Sequence, residues 1–191
     1  MVKLIVEAVP PVYLCCDALI TAADVASASR FQNDCRRREH LAWRRVVRQE
    51  LGRTVVIDYN EVGAPVVDTP DTYISVSHGG GMVAVAIADE PVGVDIEALD
   101  RNFDRVVSRY MSAAEVALSS DKDWAARVWA AKEAIYKLYG KREVDLVEDM
   151  RITACDTESM TLTAEVRDTK DIVVETKIME SSVVVATATY K

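Results

Sequence analysis

Apolar residues recur along the chain with two different periods, which together predict a mixture of strands and helices. Alternating or short β-branched runs predict strands near residues 3–9, 55–59, 72–77, 82–88, 92–98, 160–167, 172–179 and 182–190. Apolar residues three and four positions apart predict helices near residues 18–29, 33–51, 104–111, 112–118 and 123–139. Gly52 and Gly140 follow the two long helices, and Ser112 with Glu115 forms a capping box for a short one.

The order of these elements predicts the fold class. Strand, helices and strands follow one another twice, and in each half a long helix ends at a glycine. We therefore expect an α+β protein whose two similar strand–helix–strand halves pack together as a pseudo-dimer. The N-terminal half is predicted to span residues 1–91 and the C-terminal half residues 92–191. Gly63-Ala64-Pro65 and Thr69-Pro70 are predicted to lie in loops.

Composition narrows the class of protein. The chain has 191 residues, 50% hydrophobic and 28% charged, which is typical of a folded domain rather than a disordered segment. A formal net charge of −8 argues against binding nucleic acid through bulk electrostatics. No apolar run approaches the roughly 18 residues of a membrane span, and the first residues turn acidic too early for a signal peptide. The four cysteines form no C-x-x-C pair and are expected to be small buried thiols in a reducing cytoplasm.

Positive charge is concentrated in one segment of this acidic protein. Residues 30–53 contain eight arginines and three acidic residues, which gives a local charge of +5. A helix of this kind is either a solvated surface or an anion site. The arginines alone do not decide between these two interpretations.

Two carboxylates share one face of a predicted strand. In the segment V-G-V-D-I-E the side chains of Gly93, Asp95 and Glu97 point the same way. Asp95 and Glu97 then lie roughly 6.5 Å apart along the backbone, close enough to bind one hard cation together. Gly93 is expected to leave room beside them for a ligand. The alternative is an edge strand with a solvated acidic face.

Two further motifs supply candidate functional groups. Trp129, Glu133 and Lys137 share one face of the longest predicted helix at i, i+4 spacing. Glu133 and Lys137 are either a surface ion pair, or a carboxylate for a metal or for proton transfer beside a phosphate-binding lysine. His78 follows Ser77 at a strand end and precedes three glycines, whose N–H groups can approach phosphate oxygens. The alternative is a loop histidine with a local hydrogen bond.

The segments S-V-S-H-G-G-G, V-G-V-D-I-E and W-A-A-K-E-A-I-Y-K resemble, in this order and spacing, the signature motifs of the 4'-phosphopantetheinyl transferase superfamily. The resemblance runs from about residue 30 to residue 140. It implies a cytoplasmic, Mg²⁺-dependent enzyme that moves phosphopantetheine from coenzyme A to a serine of an apo carrier protein, releasing adenosine 3',5'-bisphosphate. Because one chain contains both halves, it is similar to the monomeric, pseudo-two-fold type that activates peptide and polyketide synthases.

The resemblance also implies a role for each candidate residue. Asp95 and Glu97 would bind Mg²⁺, and Glu133 would be a third ligand, the catalytic base, or both. Lys137 and His78 would act in catalysis and contact the phosphates of coenzyme A, with Ser77 beside them. Glu115, between the two acidic motifs, would support the metal through water.

The sequence departs from the family pattern at Ala64, where relatives carry a basic residue before the proline. The arginine-rich helix is the natural substitute for this charge, and Arg38 and Arg44 are predicted to bind the 3'-phosphate end of coenzyme A.

Two alternative functions remain open at this point. One is a different magnesium enzyme acting on phosphate esters, such as a nuclease or phosphatase, because paired acids serve those reactions too. The other is a non-catalytic relative that binds a carrier protein without modifying it. The presence of Asp95, Glu97, Glu133 and Lys137 argues against this second alternative, since a binding module needs no such set.

Overall fold

The fold is built from antiparallel strands and two long helices, and the computed structural model describes residues 1–191. The strands, in chain order, are β1 Lys3–Ala8, β2 Ile57–Tyr59, β3 Pro65–Val67, β4 Tyr73–Gly79, β5 Met82–Ala88, β6 Val92–Ala98, β7 Met150–Asp156, β8 Thr161–Val166, β9 Thr169–Met179 and β10 Val183–Tyr190. The helices are α1 Ala22–Ala28, α2 Asp34–Leu51, a 3₁₀ helix at Asp104–Arg109, α3 Ala113–Val116 and α4 Trp124–Tyr139. The predicted α+β class is confirmed.

Each main sheet draws its strands from one part of the chain. The first sheet has the order β1-β5-β4, and the second has the order β6-β10-β9-β8-β7. Helix α2 covers the first sheet through Trp43, Val46 and Val47. Helix α4 covers the second sheet with a nearly continuous row of buried alanine, valine, isoleucine and leucine side chains. This arrangement agrees with two units of sheet and helix, while the boundary between residues 91 and 92 stays a prediction.

Strand β6 joins the two sheets. It is hydrogen-bonded to β10 along one edge and packs beside β4 of the other sheet, where the main-chain N–H of Val94 donates to Ser75 Oγ at 3.0 Å. A buried cluster from both sheets surrounds it and includes Val94 and Ile96. The approach of β4 is very close, since a Cβ added to Gly79 would lie 2.4 Å from the carbonyl oxygen of Ile96. Side chains of β4 and β6 therefore meet in one interior.

Three elements differ from the sequence prediction, each for a local reason. The segment around Pro65, predicted to be a loop, forms β3, which pairs with β2 in a small antiparallel hairpin. Strand β7 was not predicted because a register shift between Ile152 and Ala154 interrupts its alternation of buried and exposed residues. Helix α1 begins at Ala22 rather than near residue 18, because Thr21 and Asp24 form a capping box there.

The cysteines also differ from expectation. All four are free, and Cys15, Cys16 and Cys35 are exposed, so the prediction of small buried thiols is wrong for these three. They lie before or at the start of α2, outside the apolar clusters, where no strand or helix covers them. None of the helices in the structure is long and apolar enough to cross a membrane.

A buried ion triad anchors α2 to α1. Asp24, which is 2% exposed, accepts hydrogen bonds from the guanidinium groups of Arg44 and Arg48, which are 3% and 4% exposed. Burial alone would raise the pKa of the Asp24 carboxyl, but the hydrogen bonds from Arg48 and Thr21 hold this pKa below its usual range. Arg44 and Arg48, two arginines of the arginine-rich helix, are therefore paired with a carboxylate inside the protein.

We expect Asp24→Asn to lower the free energy of unfolding by about 3 kcal/mol or more, because it leaves two buried guanidinium groups without a counter-charge. Urea denaturation followed by circular dichroism would measure the change. Arg151→Ala is the matched control, since its ion pair with Glu165 is exposed and should be worth less than about 1 kcal/mol. Equal losses in the two variants would contradict a stabilising role for the triad.

Candidate active site

The carboxylate of Asp95 lies at the centre of the candidate site. It is 5% exposed within β6. Its Oδ1 accepts a hydrogen bond from Ser77 Oγ of β4 at 2.7 Å and another from Lys137 Nζ of α4 at 2.8 Å. Its Oδ2 is buried without a hydrogen-bond partner. The alternative of a solvated edge strand is therefore wrong, and one oxygen of a buried carboxylate is available to a further ligand.

Glu97 lies two residues further along β6, at the border of the buried region. Its Oε1 accepts a hydrogen bond from the indole Nε1 of Trp129 at 2.7 Å. Its Oε2 is ion-paired with Arg101. Trp129 and Lys137 of α4 thus each reach a carboxylate of β6, which agrees with the predicted shared face of this helix. Lys137 pairs with Asp95 rather than forming the surface pair with Glu133 that was the alternative interpretation.

Glu133 lies between Trp129 and Lys137 on the same face of α4. Burial raises the pKa of its carboxyl group above the usual range, and the negative charges of Asp95 and Glu97 add to this effect, while Lys137 and Arg101 oppose it. The three carboxylates are therefore close enough to disfavour one another's charge. A bound cation would relieve this repulsion.

The donor set fits a hard divalent cation, although no group of three or more His, Cys, Asp or Glu side chains is arranged as a metal site in this structure. Mg²⁺ prefers carboxylate oxygens and retains several water ligands, so it does not require a closed protein cage. The unpartnered Oδ2 of Asp95 is the observation that supports a cation here. Asp95, Glu97 and Glu133 are thus the residues that would hold it.

His78 lies near the end of β4 and lines a pocket together with Glu97. Its ring nitrogens are 2.9 and 2.6 Å from Arg36 Nη1, and its Nδ1 is 3.4 Å from Glu39 Oε2. Burial lowers the pKa of the imidazole, with Arg36 and Lys137 acting in the same direction and Glu39 opposing them. The surroundings of His78 therefore favour the neutral imidazole over the protonated form.

A cavity of about 460 Å³, named here the central cavity, opens beside Ser77, His78 and Lys137. Its wall combines β4, the start of β6, the C-terminal end of α4, Trp43 of α2, and residues 62–65 and 140–142. Its volume lies in the range of small-molecule sites. None of its lining residues is acidic, so its charged wall is entirely basic.

Gly93 does not have the role expected from the sequence, while the phosphate contacts expected of the glycines after His78 stay a prediction. A Cβ added to Gly93 would lie 1.9 Å from the carbonyl oxygen of Ala134, so the space beside this residue is filled by the backbone of α4 and offers no room for a ligand. Gly79 is paired within the β4–β5 hairpin and packs closely against Ile96. Both glycines permit the close packing that brings the polar side chains together.

The arginines selected from α2 do not face the central cavity. Arg44 is buried. Its guanidinium donates hydrogen bonds to Asp24, to His40 Nε2 at 3.0 Å and to the Tyr59 hydroxyl at 3.1 Å. Arg38 contacts the carbonyl oxygens of Pro10 and Pro11 and lines a separate pocket. The prediction of a phosphate contact is wrong for Arg44, because its donors are already used in the interior. It stays a prediction without geometric support for Arg38.

The carboxylate of Glu115 has partners other than the three acidic residues of the candidate site. It is 1% exposed, and its Oε1 is 2.7 Å from Lys132 Nζ and accepts a hydrogen bond from the N–H of Ile152 at 2.8 Å. Its Oε2 completes the capping box with Ser112. The capping box is confirmed, and Glu115 holds α3, α4 and β7 together. The expected water-mediated contact with the metal stays a prediction.

Sequence reasoning missed several charged residues at the site. Arg101 engages Glu97, Arg36 and Glu39 surround His78, and Lys141 and Arg142 line the central cavity. Arg36 and Glu39 were visible only as part of a charged helix. Lys141 and Arg142 directly follow the glycine that ends α4, and this position was the one feature of the sequence that could have indicated their place near the site.

A group of carboxylates beside a basic cavity is typical of proteins that bind phosphate esters. The profile of the 4'-phosphopantetheinyl transferase superfamily matches residues 91–188, just over half of the chain. The chain therefore belongs to this superfamily. The matched segment contains Asp95, Glu97, Glu133 and Lys137, and so includes two of the three motifs that carry the resemblance; the segment with Ser77 and His78 precedes it.

Individual relatives agree with this assignment. The chain is 29% identical over 110 residues to the 4'-phosphopantetheinyl transferase Sfp of Bacillus subtilis (strain 168), covering 50% of this chain and 49% of that protein. It is 33% identical over 94 residues to the 4'-phosphopantetheinyl transferase psf-1 of Bacillus pumilus, covering 46% and 40%. The chain spans about half the length, or less, of the curated relatives that it matches.

We expect Gly93→Ala to separate α4 from β6. A methyl group 1.9 Å from a main-chain carbonyl oxygen cannot be accommodated by rotating a side chain, so the free energy of unfolding should fall by about 3 kcal/mol or more. Chemical denaturation would measure the loss. Ala98→Ser is the control, because it adds one heavy atom to the same strand at a partly exposed position. Equal stability of the two variants would contradict the close approach.

Proposed function

We propose that this chain is a 4'-phosphopantetheinyl transferase, which moves phosphopantetheine from coenzyme A to a serine hydroxyl of an apo carrier protein. The observation that supports this most strongly is the arrangement at Asp95. Ser77 and Lys137 converge on its Oδ1, its buried Oδ2 has no partner, and Glu133 lies nearby with a raised pKa. Family membership favours this reaction over other reactions of phosphate esters.

The central cavity suits coenzyme A. It offers the aromatic side chain of Tyr136 for a planar base and the cationic side chain of Lys137 for phosphates. Ser77, His78 and Lys137 are proposed to contact the diphosphate, with Lys137 and His78 orienting it for attack. His78 can donate a hydrogen bond to a phosphate oxygen in either protonation state.

The reaction forms one bond and breaks another at the same phosphorus. The oxygen of the carrier serine bonds to the phosphorus that bears pantetheine, and the bond from this phosphorus to the bridging oxygen breaks, so that adenosine 3',5'-bisphosphate leaves. Glu133 is proposed to accept the serine proton, because it is the carboxylate of α4 beside Asp95 and Glu97. Mg²⁺ held by Asp95, Glu97 and Glu133 would offset the negative charge on the phosphates.

The partners follow from this reaction: coenzyme A as co-substrate and an apo carrier protein of the acyl or peptidyl type as acceptor. The pathway of that carrier and a cytoplasmic location stay predictions. A simple assay covers the choice of acceptor. The purified protein, coenzyme A and Mg²⁺ would be mixed with fatty-acid, polyketide and peptide carriers in turn, and mass spectrometry would detect the added phosphopantetheine.

Asp95→Asn should reduce transfer by at least about a hundredfold, because it removes the charge that organises Lys137 and the proposed cation. The initial rate of carrier modification is the measurement. Asp100→Asn is the control, since Asp100 is an exposed acid close by in the chain and its variant should retain normal activity. Near-normal turnover in Asp95→Asn would contradict the metal assignment. Hydrolysis of simple phosphodiesters without coenzyme A would instead identify another phosphoesterase.

We also propose that the protein acts as a monomer. Residues of both sheets already meet around Asp95 within one chain, and the wall of the central cavity is drawn from both halves. Sedimentation velocity at the concentration of the transfer assay should give a single species of about 21.1 kDa. An obligate trimer would contradict this prediction.

A further inference from the structure

Two cations at the mouth of the central cavity, Lys141 and Arg142, have no role in the site described above. Both side chains are exposed. Lys141 Nζ lies 4.8 Å from the centre of the Tyr139 ring, and Arg142 reaches a main-chain carbonyl, that of Glu61, at 3.5 Å. Neither has a carboxylate partner, whereas the third cation of the wall, Lys137, is paired with Asp95 at 2.8 Å. The charge at the mouth is therefore uncompensated.

This uncompensated charge stands out against the rest of the molecule. The chain carries a formal net charge of −8, yet no acidic residue lines the central cavity. A concave wall with one sign of charge concentrates the electrostatic field and attracts ions of the opposite sign. The mouth of the cavity thus favours a ligand with an anionic group of its own, separate from the group that Lys137 contacts.

The position of the pair along α4 indicates which anionic group this is. Lys137 lies about 6 Å of helix rise beyond Glu133, and Lys141 follows Gly140, the residue that ends α4. Arg142 reaches the main-chain carbonyl of Glu61, which precedes residues 62–65 of the cavity wall. Lys141 and Arg142 thus follow Lys137 along the wall of a cavity that none of the three carboxylates lines.

We propose that Lys141 and Arg142 bind the phosphate on the ribose of coenzyme A, and supply the positive charge that Ala64 does not. This inference rests on the proposed function. If the diphosphate lies at Lys137 beside the carboxylates, the ribose follows and its phosphate lies one step further from Asp95. A phosphate monoester carries nearly two negative charges at neutral pH, which two adjacent cations match. Tyr136 lines the same cavity, and its ring suits the adenine.

The test compares coenzyme A with dephospho-coenzyme A, which lacks only the ribose phosphate, by isothermal titration calorimetry. The double variant Lys141→Ala/Arg142→Ala should bind coenzyme A at least about tenfold more weakly, the loss expected for one charge-assisted phosphate contact. Its affinity for dephospho-coenzyme A should stay within about twofold of the original protein. Lys141→Arg/Arg142→Lys keeps both charges and should restore most of the affinity for coenzyme A.

Two control variants make the result specific. Lys170→Ala/Lys177→Ala removes two exposed cations from β9, outside the cavity wall, and should leave both affinities unchanged. Arg38→Ala tests the position expected from the sequence. If Arg38→Ala weakens coenzyme A selectively and the double variant does not, the ribose phosphate lies on α2 and the proposal is wrong.

The remaining outcomes are also decisive. Equal weakening of both ligands in the double variant would mean that Lys141 and Arg142 hold the diphosphate or the neighbouring loop, which overturns the assignment. Unchanged affinity for both ligands would mean that Lys141 and Arg142 are solvated surface residues without a role in binding, and would also overturn the proposal. Failure of the unmodified protein to bind either ligand would instead refute the proposed function itself.

Discussion

The buried charge of Asp95 constrains the structure around it. A carboxylate removed from water loses several kcal/mol of hydration, which other groups must replace. Ser77 and Lys137 do so, one from a strand of the first sheet and one from the helix that covers the second. This solvation requires β4 and α4 to pack closely against β6, which Gly79 and Gly93 permit. Because Oδ2 remains unpartnered, the same arrangement that joins the two sheets leaves a ligand position between them.

Two buried carboxylates elsewhere in the protein, unlike Asp95, have hydrogen-bond partners for both of their oxygens. Asp24 is saturated by Arg44 and Arg48, and Glu115 by Lys132 together with main-chain N–H groups. These clusters leave no donor or acceptor for a ligand, and their effect is to fix helices in place. At the candidate site neither the negative nor the positive charges are fully neutralised. Its carboxylates repel one another, and two cations of the cavity wall have no carboxylate partner.

The family match covers only part of the candidate site and of the cavity wall. The matched segment, residues 91–188, contains the acidic residues and Lys137. Ser77, His78 and Trp43 lie before it, and they complete the site and the cavity wall. The N-terminal part of the chain is therefore needed both to solvate Asp95 and to form the surface on which the proposed co-substrate lies. A binding site at the junction of two packed units is a common arrangement for small ligands.

Local sequence determined the elements whose signals are local. The period of α4, its end at Gly140, the capping box of Ser112 and Glu115, and the shared face of Asp95 and Glu97 follow from spacing alone. The sequence could not determine the roles of Arg44 and Glu115. A buried ion pair and a ligand contact use the same residue types, and they differ only in whether the partner is a protein side chain or a ligand. It also misjudged Gly93, whose missing side chain admits a helix rather than a ligand. Those outcomes depend on which distant segments meet, and only the tertiary structure decides that.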